Sequence, residues 1–157
     1  MGHSLRPAPV HNGPMDLRWI PHLSPAYALC VALRRDILRK PLGLEFTVDQ
    51  LAAEASSLHL AAFDDGVLAG CLMLTPKDKD TVQMRQVAVR QDHQGKGLGA
   101  AMVRESEIAA RYHSFKRMIL HARETAVPFY LKLGYEVVGE PFVEVGIPHR
   151  KMEKALG

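Results

Sequence analysis

The chain has 157 residues, 47% of them hydrophobic and 24% charged, which supports one buried core and excludes a largely disordered polypeptide. No run approaches the ~20 apolar residues of a membrane-spanning helix, and two cysteines, Cys30 and Cys71, exclude a multi-bridge secreted scaffold and suit a reducing cytoplasm. The net charge of +3 is too small to argue for nucleic acid, yet Arg85 to Arg123 holds eight Lys/Arg against three acidic residues. Such a field attracts a phosphorylated small ligand, or is simply a solvated basic face.

Residues 1–14 show no apolar period and no long apolar stretch of a signal peptide. They read as a flexible tail, leaving 15–157 as a single domain, with Met15 a candidate natural start. Asp16 to Ile20 is a short strand. Pro25 to about Arg39 is a helix, with Ser24 as N-cap and Leu29, Ala32, Leu33 and Ile37 at helical spacing. The basic cluster Arg34, Arg35, Arg39 and Lys40 suits the end of that helix. Thr47 to Ser56 is a weaker helix. Leu58–Phe63 and Val67–Leu74 form a hairpin across Asp64-Asp65-Gly66. Cys71, in the second of these strands, reads as a small buried hydrophobe. Val82–Val89 is a third strand and Leu98–Tyr112 a helix. Its apolar side carries Leu98, Ala101, Met102, Ile108, Ala109 and Tyr112, with Glu107 elsewhere. Met118–His121 is a strand, Ala126–Leu133 a helix stopped by Gly134, and Tyr135–Val138 and Ile147–Met152 the last strands. The order predicts a mixed α/β (α+β) domain. Its sheet is mostly antiparallel, with one parallel pair across the crossover from Val89 to Met118.

The most informative stretch is Val87-Ala88-Val89-Arg90-Gln91-Asp92-His93-Gln94-Gly95-Lys96-Gly97-Leu98-Gly99-Ala100. A strand runs into a glycine-rich turn that opens a helix. Glycines allow close backbone approach, and the first helical turn presents free N–H groups at the positive end of the dipole. A diphosphate fits such a place, and Lys96 adds a charge. Neither the nucleotide-hydrolase phosphate loop nor Gly-x-Gly-x-x-Gly is present, because Gly95, Gly97 and Gly99 alternate. A tight turn without a ligand is the alternative at this point. The eight histidines show no metal-ligand spacing such as His-Glu-x-x-His, so no metal is expected.

Gln94-Gly95-Lys96-Gly97-Leu98-Gly99 resembles the Gln/Arg-x-x-Gly-x-Gly/Ala signature of the GNAT superfamily of acyl-CoA-dependent N-acetyltransferases. Downstream, Ala126-Val127-Pro128-Phe129-Tyr130-Leu131-Lys132-Leu133-Gly134-Tyr135 resembles that superfamily's second motif, a helix ending in Phe/Leu-Tyr-x-x-x-Gly-Phe/Tyr. The resemblance is strong from Val82 onward. It implies a GNAT-like sheet whose strands splay where they end at Val89 and His121, with acetyl-CoA as acyl donor lying in the gap. Main-chain groups of Val87, Ala88 and Val89 would face pantetheine and acyl group. N–H groups from Gln94 through Gly95, Lys96, Gly97, Leu98 and Gly99 to Ala100 would hold the diphosphate. Tyr130 matches the general acid that protonates the departing thiolate, or packs its helix on the sheet. His121 and His149 are candidate bases or hydrogen-bonded structural histidines. Glu144, in a Glu-x-Gly-Ile-Pro-His stretch similar to one GNAT subgroup, is a candidate for recognising a cationic amine. Where many members carry Asn, this chain has Arg123 followed by Glu124, and Arg123 is expected to reach a phosphate or to pair with Glu124.

The resemblance implies a cytoplasmic enzyme that moves acetyl from acetyl-CoA to a primary amine of a small molecule or peptide by direct attack on the thioester. Nucleic acid and membrane are not expected as partners; a homodimer stays open. Two other readings are a non-catalytic acyl-CoA-binding regulatory module and a nucleotide-binding domain that uses the same loop for ATP.

Overall fold

A computed structural model describes residues 15–157; the tail expected over residues 1–14 lies outside the described residues. The strands are β1 (Met15–Ile20), β2 (Leu58–Asp64), β3 (Val67–Pro76), β4 (Thr81–Val89), β5 (Arg117–Arg123), β6 (Glu136–Glu144) and β7 (Ile147–Ala155). The α-helices are α1 (Pro25–Arg34), α2 (Val48–Ala52), α3 (Leu98–Tyr112) and α4 (Val127–Lys132). One seven-stranded sheet runs β1-β2-β3-β4-β5-β7-β6. Among the described residues only β4 and β5 pair in parallel, across the α3 crossover; the other pairs are antiparallel. This is the mixed, mostly antiparallel sheet that the element order predicts.

Two apolar layers hold the helices to the sheet. On one face, Leu98, Met102, Val103 and Ala110 of α3 pack with Leu72, Val82, Met118, Leu120, Tyr130 and Tyr135. On the other, Cys30 and Leu33 of α1 pack with Ala61, Cys71 and Ala88. The β2–β3 hairpin turns at Asp65 and Gly66, both at positive φ (51° and 82°), the geometry that the Asp-Gly signal calls for.

Three elements depart from the sequence expectation. The α-helix begun at Pro25 ends at Arg34 and widens into a π-turn over Arg35–Arg39. Pro41 has no N–H to meet the Ile37 carbonyl, so an α register cannot continue there. In α3, Ile108 and Tyr112 are exposed, whereas Ser106 and Glu107 are buried with Leu98, Met102 and Ala110. Glu107 is tolerated inside because Lys154 Nζ donates to it at 3.0 and 3.2 Å and the Tyr135 hydroxyl at 2.9 Å. β6 runs to Glu144 rather than stopping at Val138, because Gly139 (φ 76°) absorbs a register shift before Phe142.

Arg34 is not a solvated helix-end cation. It is buried, and its guanidinium makes two bonds to the Glu54 carboxylate, at 2.8 and 2.6 Å. The Tyr27 hydroxyl donates to the same carboxylate at 2.8 Å, and His59 Nε2 bonds the Glu54 carbonyl at 3.0 Å. These bonds fix the start of the π-turn, which carries Ile37, Leu38 and Arg39 toward the cleft described below. Removing one partner of a buried pair strands the other charge. Glu54→Ala is therefore expected to cost about 3–5 kcal/mol in urea unfolding. The double change Arg34→Met with Glu54→Leu should recover most of that loss; an equal loss in both variants would reject the pairing as the cause.

Candidate active site

The site is built on the place where β4 and β5 part. Their parallel pairing runs from Thr81↔Arg117 to Met84↔Leu120 and stops there. Beyond it, β4 stays attached to β3 and β5 to β7, so the two inner edges face each other without partners across a gap. A bulge sits at the parting point. Between the pairs Met73↔Arg85 and Cys71↔Ala88, β4 holds one residue more than β3, and Gln86 takes a left-handed φ of 55°. The extra residue inverts the alternation of side chains. Val82 and Met84 pack in the α3 layer before the bulge; after it, Val87 and Val89 do so while Ala88 turns to α1.

Three adjoining cavities follow the gap. The first lies between Val87 and Val89 of β4, the turn Gln94–Gly97 and Phe129 and Tyr130 of α4. The second occupies the gap itself, between Met84–Val87 and Leu120–Arg123. The third opens on the far side, at Gln83, Arg85, His121 and Glu144. Val87, Ala126 and Tyr130 line both first and second; Arg85, His121 and Glu144 line both second and third.

The glycine-rich turn forms the floor of the first cavity. Gly95 and Gly97 have φ of 78° and 87°, and a Cβ on either would meet no atom within 4 Å, so open space lies beside the backbone. Among the described residues no side chain caps α3; Ala101 N–H is bonded back to Gly97 at 3.0 Å, leaving the amides of Leu98, Gly99 and Ala100 without a cap. Leu98 itself is buried in the core, so only its backbone serves the turn. Gln94 behaves differently from its neighbours. Its amide closes onto the Gln91 carbonyl at 3.4 Å, and its side chain donates to the Val89 carbonyl at 2.9 Å. The Lys96 side chain is exposed and does not line the cavity.

Tyr130 stands between the first and second cavities. It is packed edge-on against Phe129 and Tyr135, with ring centroids 4.9 and 5.8 Å away. Burial pushes its phenol up to about 12, so it keeps its proton at neutral pH. Among the described residues its hydroxyl has no hydrogen-bond partner.

Between the second and third cavities, His121 Nδ1 lies 3.0 Å from Glu144 Oε1. An ionised carboxylate can only accept, so Nδ1 carries the proton and the neutral ring keeps its lone pair on Nε2. His149 is buried, and its Nδ1 donates to the Ile147 carbonyl at 2.9 Å; its Nε2 is 3.9 Å from Glu144 Oε2. Phe142 packs against both imidazoles, at 5.0 and 5.8 Å. The β6–β7 hairpin brings these groups together, turning at Val145 and Gly146 with φ of 45° and 78°. Arg123 does not reach the glycine-rich turn. Its Nη2 donates to the Leu38 carbonyl at 3.2 Å, tying β5 to the π-turn, and it does not pair with Glu124.

Sequence reasoning missed two sets of residues. Arg39 and Arg85 line the second and third cavities. His93 lines the first and clamps the turn to the β2–β3 hairpin, with Nε2 2.7 Å from Asp64 and Nδ1 2.7 Å from Asp92. Among the described residues no group of three or more His, Cys, Asp or Glu is placed to hold a metal ion, and no helix is long and apolar enough to cross a membrane.

A sequence profile described as the acetyltransferase (GNAT) domain matches residues 44–156. The chain belongs to the GNAT acetyltransferase family. It is an acyl-CoA-dependent N-acetyltransferase, and acetyl-CoA is its acyl donor. It is 33% identical over 111 residues to the uncharacterised N-acetyltransferase YjcF of Bacillus subtilis, covering 70% of this chain and 77% of that protein. A crystal structure of a putative N-acetyltransferase from Lactobacillus plantarum superposes with a TM-score of 0.80 at 25% identity, over 92% of this chain and 99% of that one. A GNAT acetyltransferase from Elizabethkingia anophelis, crystallised with acetyl-CoA bound, shares the fold at a TM-score of 0.71 and 16% identity, over 90% and 98% of the two chains.

Asp64, then Asp92, hold the His93 imidazolium above its usual range. A raised basic group stabilises the fold below its unfolded value and loses that contribution as pH rises through the folded one. His93→Gln should therefore lower the melting temperature more at about pH 5.5 than at about pH 9. A deficit that is the same at both pH values would remove the charged clamp.

Proposed function

We propose that this GNAT enzyme acetylates a primary amine of a small molecule or peptide, with the thioester and the amine entering the parted strands from opposite ends. The observation that carries the reading is the order of groups along the three cavities: free amides, Tyr130, the gap, then His121 on Glu144. Residues 15–157 form the catalytic domain in this reading, and the free thiols of Cys30 and Cys71 support a cytoplasmic setting.

The diphosphate of acetyl-CoA sits against the amides from Gly95 to Ala100, where helix dipole and glycine backbone favour an anion. The amide-rich pantetheine arm runs beside Val87 to Val89 and meets the backbone groups that β5 has released. In this reading the thioester carbonyl lies in the second cavity. The amine, held as an ammonium near the Glu144 carboxylate, gives its proton to His121 Nε2, directly or through one water. Glu144 holds His121 in the tautomer that can accept, and stabilises the imidazolium once it forms. His149, anchored to Ile147, stands behind that carboxylate and limits its movement. The free amine then attacks the carbonyl carbon; the C–S bond breaks as the C–N bond forms, Tyr130 gives its proton to the departing thiolate, and the second proton, shed by the new amide nitrogen, passes through water to restore the phenol while His121 releases the first to solvent. A phenol held up to about 12 is a donor at neutral pH, not a base.

Two variants test the assignment. Tyr130→Phe removes the proton and keeps the ring, so kcat should fall about 10²-fold or more with little change in the Kd for acetyl-CoA; unchanged turnover would remove the acid role. Gly97→Glu puts a carboxylate and a disfavoured φ at the diphosphate site. Calorimetry on that folded variant should show no uptake of acetyl-CoA, and wild-type affinity would move the donor elsewhere.

A further inference from the structure

The third cavity has an electrostatic imbalance that the transfer chemistry does not use. Three cationic side chains line it, Arg39, Lys77 and Arg85, against the single carboxylate of Glu144. That carboxylate is already engaged by His121 at 3.0 Å. Among the described residues, none of the three cations forms an ion pair or a side-chain hydrogen bond. The Arg39 guanidinium lies over the Phe46 ring at 4.7 Å, which it shares with Arg34, and its Nε is buried with no hydrogen-bond partner.

The three cations come from separate parts of the chain. Arg39 is on the π-turn, Lys77 follows β3, and Arg85 is the last β4 residue before the bulge. Burial and the like charges of Arg34, Arg123 and Arg85 all work against the Arg39 cation, and only Glu144 offsets them. A group of uncompensated cations around a cavity repels a polyamine and favours an anion. Guanidinium groups suit a planar carboxylate or a phosphate, each offering paired donors. These cations do not belong to the diphosphate cradle, because none of the three lines the cavity at the glycine-rich turn.

We infer that the natural acceptor is a primary amine that carries its own anionic group, a carboxylate or a phosphate, bound by Arg85 and Arg39 while its amine faces His121 and Glu144. The assignment rests on the donor and acceptor ends proposed above. It sets a selection rule: amines of equal size are sorted by the charge at their far end.

The test uses the full chain saturated with CoA for calorimetry, and acetyl-CoA with CoA-release kinetics for turnover. The probes are β-alanine, O-phosphoethanolamine, the neutral 3-aminopropan-1-ol and the dication 1,3-diaminopropane. At least one anionic probe should exceed the neutral and dicationic probes about tenfold or more in affinity or kcat/KM, as expected for a charge-assisted bond to Arg. Which of the two leads separates carboxylate from phosphate. Arg85→Gln should erase that preference while leaving the Kd for acetyl-CoA at the wild-type value. The inference is overturned if the neutral or dicationic probe binds or reacts as well as the anionic ones. It is also overturned if neither anionic probe binds or reacts at millimolar concentration while acetyl-CoA still binds, or if the preference survives Arg85→Gln. Failure of the wild-type protein to take up acetyl-CoA at all would instead strike the donor assignment, and this inference with it.

Discussion

Parallel strands that stop hydrogen-bonding partway along a sheet leave amides and carbonyls facing each other with nothing between them. That is the condition of β4 and β5 past Met84 and Leu120. Buried backbone groups demand partners, and the gap is held open because each strand is secured on its outer side, by β3 and by β7. The cleft is therefore a property of the sheet rather than of a mobile loop. A thin, amide-bearing ligand is what such a cleft accommodates, and acetyl-CoA has that form.

The surrounding structure keeps the gap from closing or drifting. The Glu107 carboxylate joins α3 to Lys154 of β7 and to Tyr135, next to the ring of Tyr130. On the opposite face, the Arg34–Glu54 pair seats the π-turn that Arg123 then grips through the Leu38 carbonyl. Each of these tethers is a buried or half-buried charge whose partners are supplied by a different element. Such pairs contribute little net stability compared with apolar contacts, but they fix which element lies where.

Much of this was legible in the sequence, for reasons that are local. The Asp-Gly turn, the alternating glycines at 95, 97 and 99 and the Phe-Tyr motif at 129–130 each act within a few residues; the first makes the β2–β3 turn, and the other two line one cavity. What was hidden depends on distant partners. Glu107 reads as a surface residue until Lys154 and Tyr135 come to meet it, 47 and 28 residues away. Arg34 reads as a helix-end cation until Glu54 arrives beside it. Arg39, Lys77 and Arg85 have no sequence pattern in common; only the fold brings them to one cavity. Arg123 reads from its place in the motif as a partner for a phosphate or for Glu124, but its Nη2 donates to the Leu38 carbonyl of the π-turn. The Gln86 bulge left no signature because Gln is not a residue that favours positive φ.

That bulge divides the labour of one strand. Ahead of it, Gln83 and Arg85 line the third cavity; after it, Val87 and Val89 line the first. Without the additional residue, both sets would crowd the same side. The two ends of the cleft are thus lined by separate stretches of a single peptide. Reshaping the third cavity alone could therefore begin at position 83, which neither of the other two cavities shares, whereas deleting one residue at 86 would turn both stretches to the same side at once.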